Sequence, residues 1–147
     1  MSKENGIRLV SGGGQGGFPI RETFEDFAGR KRNFVIDCHE GPLGYTVRAI
    51  EEKPKGEGYE FAAYSETTPD AALGRLREKA RRSMAVRHLS SDRNLLHDTL
   101  TGRITSDRKR GLFLVVDGIA VDMEDLTRLL ETHEGYEFEL RIKDPVE

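Results

Sequence analysis

The chain has no tryptophan, one cysteine and few aromatic residues, 7% of 147. The single thiol, Cys38, excludes an intrachain disulfide and a four-cysteine zinc site, and the expected setting is a reducing cytoplasm. No apolar run approaches the ~20 residues that span a bilayer. The opening Met-Ser-Lys-Glu-Asn-Gly lacks the apolar core of a secretory signal, so no membrane partner is expected.

What is present suffices for a core. Leu, Ile, Val and Phe together number 36, about a quarter of the chain and above the level at which disorder is the default. The net charge of −3 conceals a strong asymmetry. Residues 1–73 carry 9 basic and 12 acidic groups, residues 74–110 carry 11 and 4, and residues 111–147 carry 3 and 10.

The N-terminal residues 1–19 read as a flexible glycine-rich arm, with five glycines between Ser11 and Gly17. Gly12-x-Gly14-x-x-Gly17 matches a dinucleotide fingerprint, and Asp37 lies where an acid would meet a ribose hydroxyl. That reading needs a helix over Phe18–Phe27, followed by parallel βα units. Ile20, Phe24 and Phe27 have helical spacing, yet a hairpin through Gly29–Arg32 into Phe34–His39 fits slightly better. Tyr45–Ile50 and Tyr59–Tyr64 are further strands, joined by a loop of lysine, proline and glycine.

A helix over 69–86 is well marked, with Thr68 as cap, Pro69 at its first position and Asp70 in the first turn. Its apolar stripe is Ala72, Leu73, Leu76, Ala80, Ser83 and Met84. Thr99–Thr105 and Leu112–Val116 read as strands, and Asp117-Gly118 turns the chain back into Ile119–Val121. Asp122 caps a second helix, 123–133, with Met123, Leu126, Leu129 and Leu130 as the expected buried stripe. Tyr136, Phe138, Leu140 and Ile142 then alternate with Glu137, Glu139, Arg141 and Lys143, the pattern of a half-buried strand. The expectation is an α+β fold of antiparallel sheet or sheets with two packed helices. It forms one domain over 20–147, or two halves, 20–90 and 98–144.

No catalytic constellation, cofactor site or metal site is expected. Asp37-Cys38-His39-Glu40 clusters reactive side chains, but strand alternation turns Cys38 to the apolar face and its neighbours to the other. Asp117, Asp122, Glu124, Asp125 and Glu131 crowd the second hairpin and helix, where a helix start favours negative charge. The basic helix flank of Arg75, Arg77, Lys79, Arg81 and Arg82 is the candidate interaction site. It suits an acidic protein partner, or an acidic surface such as that around Glu124 and Glu131 in a homo-oligomer. Nucleic acid is the alternative partner, though residues 74–110 contain no aromatic residue for base stacking.

Tyr45–Val86, with its hairpin and the helix TPDAALGRLREKARRSM, resembles the β-β-α layout of HicB-type antitoxins and the partial double-stranded-RNA-binding fold. VVDGIAVDMEDLTRLLETHEGYEFELRIKD is similar to a segment of uncharacterised bacterial proteins with no assigned function. Together these readings describe a non-catalytic interaction or regulatory module.

Overall fold

The computed structural model describes residues 17–54 and 56–146. The glycine segment Gly12–Gly17 lies outside the described residues except for Gly17. The fold is α+β, with two antiparallel sheets and two helices. The chain divides into two compact units. Among the described residues the first comprises 17–52, 60–85 and 143–146, and the second comprises 53–54, 56–59 and 86–142.

In the first unit four strands form a meander in the order β1 (Ile20–Glu25), β2 (Lys31–Glu40), β3 (Tyr45–Glu51) and β4 (Glu60–Ser65). The hairpin reading of the 20–39 region therefore holds, and Ile20 lies opposite Ile36. The helix needed between the glycine segment and Asp37 is replaced by β1, so the parallel β-Gly-α-β arrangement does not form. Period-2 alternation sends Phe34, Ile36 and Cys38 of β2 and Val47 and Ala49 of β3 into the core.

Helix α1 (Pro69–Met84) covers that face with Ala72, Leu73, Leu76, Ala80 and Met84. Its start is the expected one. Thr68 Oγ1 accepts from Ala71 N at 3.0 Å, and Pro69 occupies a position whose missing N–H has no helical partner to lose. Ser83, expected on the buried stripe, is exposed, and the helix stops at Met84 rather than 86. The buried Phe24 and Phe34 meet edge to face at 5.2 Å.

In the second unit β5 (Arg103–Asp107), β6 (Gly111–Val116) and β7 (Ile119–Asp122) form a three-stranded meander. The β6–β7 turn is tight because Asp117 and Gly118 both adopt left-handed backbone, φ 56° and 77°. The strand expected over 99–105 begins at Arg103. At Gly102 a side chain would collide with the Val115 carbonyl, so the chain enters the sheet on a glycine.

Helix α2 (Met123–Glu131) packs against β7 and β6 and ends two residues before the expected 133. Asp122 and Asp125 form a reciprocal capping box at its start. Leu89, Val116, Val121 and Leu129 make the core of this unit, with Leu95, Leu100, Leu114 and Leu126 packed around them. Only Leu129 of the expected α2 stripe is buried. Met123 and Leu130 are exposed, because the small sheet contacts the helix through Leu126 and Leu129.

The largest departure is at the end of the chain. Tyr136–Lys143, the most regular alternating pattern in the sequence, pairs with no strand among the described residues.

Candidate interaction surface

The basic flank of α1 is mostly committed to its own unit. Arg75 Nη1 donates to the Tyr64 carbonyl at 3.0 Å. Arg77 pairs with Glu22 of β1, with Nε 3.0 Å from Oε1, and that hydrogen bond raises its pKa. Lys79 Nζ donates to the Ala62 and Pro145 carbonyls. Arg81 and Arg82 are exposed, and Arg82 lies 4.0 Å from Glu78, a separation worth little at the surface. The first three cations therefore clamp the helix to its sheet.

A second charged group, outside the candidates named above, sits at the end of the first core. Alternation places Arg32 of β2 and Glu51 of β3 on the core face, where the sheet runs out of apolar residues. Arg32 Nε is 2.9 Å from Asp26 Oδ2, and its Nη1 is 3.0 Å from Glu51 Oε2. The other Asp26 oxygen accepts from the N–H groups of Ala28 and Arg30, both at 2.9 Å, and shapes the β1–β2 turn. Burial raises the Asp26 pKa, but these two N–H donors and Arg32 more than offset it and hold the carboxyl below its usual value. The sequence signal was available as a charge of each sign on the inward parity of two adjacent strands.

The Asp37–Glu40 cluster divides as expected. Cys38 is buried with Ile36 and Val47, and its thiol pKa is raised by burial and by the nearby Asp37 and Glu40. Asp37 lies on the opposite face. Burial raises its pKa against the lowering effect of the Cys38 N–H and His39, and its Oδ1 has no hydrogen-bond partner among the described residues.

In the second unit, sequence spacing did not connect His88 with Asp117, yet the two meet. The buried Asp117 carboxylate accepts from the N–H groups of His88 (2.9 Å) and Leu89 (2.8 Å), and His88 Nδ1 lies 3.0 Å away. This pins the segment after α1 to the β6–β7 turn. A shallow cleft of about 310 Å³ in the same unit is lined by Arg93, Arg110, Asp122 and Asp125, among others. Arg110 is held by Asp107 at 2.8 Å and lies 4.1 Å over the Phe113 ring. Asp122 and Asp125 cap α2, so these side chains already have structural work. Among the described residues no group of three or more His, Cys, Asp or Glu is placed to hold a metal ion. No helix among them is long and apolar enough to cross a membrane.

The segment after α2 carries a row of exposed apolar side chains. Tyr136, Phe138, Leu140 and Ile142 are 75%, 87%, 79% and 68% exposed. Past the Tyr136 N–H, which donates to His133 O at 2.9 Å, the backbone through Lys143 makes no backbone hydrogen bond among the described residues. Together with the exposed Met123 and Leu130 of α2, this gives the second unit far more uncovered apolar surface than single scattered residues would.

Two family models match. Residues 18–85 match a domain of unknown function (DUF7686), and residues 87–147 match a second domain of unknown function (DUF7713). The boundary between them falls directly after α1. Neither description names a HicB-type or double-stranded-RNA-binding family. Comparison with curated proteins and with solved structures finds no match.

Proposed function

We propose that this chain is a non-catalytic protein-interaction module of the cytoplasm, and that it docks another polypeptide through Tyr136–Lys143. One observation carries the reading: four large, mostly exposed apolar side chains alternate with charged ones along a segment whose backbone groups, past the Tyr136 N–H, have no backbone hydrogen-bond partner among the described residues. A row of free N–H and C=O groups beside an apolar stripe is the chemistry of strand pairing, where main-chain bonds supply affinity and alternate side chains supply specificity. The commitment of Arg75, Arg77 and Lys79 within their own unit supports placing the contact here rather than on the helix flank. The single buried thiol is consistent with a reducing compartment.

The test is a double substitution, Phe138→Ser with Ile142→Ser. For the monomer in dilute solution, unfolding free energy is expected to change by no more than about 0.5 kcal/mol, the value for exposed sites, while binding of an apolar fluorescent dye falls. A loss above about 2 kcal/mol would show that these residues pack within their own chain and would overturn the reading.

A further inference from the structure

We propose that the polypeptide docked by this segment is a second copy of the same chain, with the two Tyr136–Lys143 segments paired as antiparallel strands about a two-fold axis at Leu140. This rests on the docking reading above and names its partner. The argument is charge and parity. Directly opposite residues of an antiparallel pair share a face, so apolar residues meet apolar residues only in registers that set even-numbered positions against even-numbered ones.

Among those registers, one matches every charge. Centring the pair on Leu140 sets Glu137 opposite Lys143 and Glu139 opposite Arg141, and the two-fold repeats both pairs. On the other face Phe138 meets Ile142, and Leu140 meets its own copy. Sliding by one step either way sets Glu139 against Glu139, or Arg141 against Arg141. Parallel in-register pairing sets every charge against its like. Glu-x-Glu-x-Arg-x-Lys is thus complementary to its own reverse, and like charges opposite one another destabilise the competing arrangements. A two-stranded ribbon is marginal without apolar cover, and the exposed Leu130, shortly before the segment, offers such surface from the same unit.

The experiment uses the full chain and two charge reversals, Glu137→Lys with Glu139→Arg, and Arg141→Glu with Lys143→Glu. Sedimentation velocity at micromolar concentration and low salt should show a wild-type dimer. Each reversed protein alone should dimerise at least about tenfold more weakly, and an equimolar mixture should recover a heterodimer. Unchanged circular dichroism would confirm that both variants fold. Leu140→Cys should cross-link to itself on oxidation, because positions facing each other across such a pair lie within disulfide reach. Phe138→Cys, displaced along the strand from its own copy, should not.

Amide exchange separates the two levels of the proposal. A wild-type monomer whose 137–143 amides exchange freely overturns the self-pairing and leaves the docking reading standing. A monomer with those amides protected overturns both. A dimer indifferent to both reversals overturns this pairing and moves the interface elsewhere on the chain.

Discussion

Arg32→Leu tests the buried charge cluster of the first unit most directly. Arg32 stands between two carboxylates, and the side chains of Arg32, Asp26 and Glu51 are 11%, 2% and 3% exposed. At that burial the value for surface pairs, about 0–1 kcal/mol, does not apply. Removing one partner of a buried pair costs about 3–5 kcal/mol, because the remaining charge is left desolvated. Asp26 keeps its two N–H donors at 2.9 Å, so the lower end, about 3 kcal/mol at neutral pH, is expected.

The pH dependence gives an independent check. The folded Asp26 pKa lies below its usual value, so its contribution is present above an unfolded pKa of about 4. That contribution is lost as pH falls through the folded value. Without Arg32 the folded pKa rises, the variant loses less on acidification, and the gap from wild type narrows below about pH 4. Urea unfolding followed by far-ultraviolet circular dichroism, with amide exchange in β2 to report on this unit, measures both quantities. A cost under about 1 kcal/mol at neutral pH, or a gap that does not change on acidification, would refute the reasoning.

Two further changes probe buried groups. Asp117→Ala removes the acceptor of the His88 and Leu89 N–H groups and forces alanine into left-handed backbone at φ 56°. Unfolding of the second unit should cost about 2–3 kcal/mol less, with the largest loss of exchange protection at residues 88 and 89. Exchange that stays slow at both amides would contradict the pin. The Cys38 thiol is buried, and its pKa is raised by burial and by Asp37 and Glu40, so a thiol reagent should label it only at the rate of unfolding. Labelling at the rate of a free exposed thiol would place Cys38 outside the core.

The elements that sequence described well are those whose signal is local. Thr68 at the start of α1 and Asp122 with Asp125 at the start of α2 satisfy nearby backbone groups, and Asp117-Gly118 takes the left-handed backbone of a two-residue turn, so these outcomes are set locally. Strand parity in β2 was equally legible and put Cys38 inside. Arg32 with Glu51, and His88 with Asp117, were not, since each pairing joins residues 19 and 29 positions apart through sheet register and turn placement. The basic flank of α1 was seen as a charge excess. Its partners at Glu22, Tyr64, Ala62 and Pro145 come from other elements of the same unit.

By itself, then, the sequence determined the α+β class, both helix starts, the hairpin turn and the inward residues of β2, because capping, turn chemistry and periodicity act over a few residues. Only the tertiary structure decided which charges are paired inside the protein and which apolar stripe remains uncovered. An alternating segment specifies the faces of a strand but not its neighbour. Tyr136–Lys143 has the pattern of a strand, while pairing needs a second edge that local sequence does not supply.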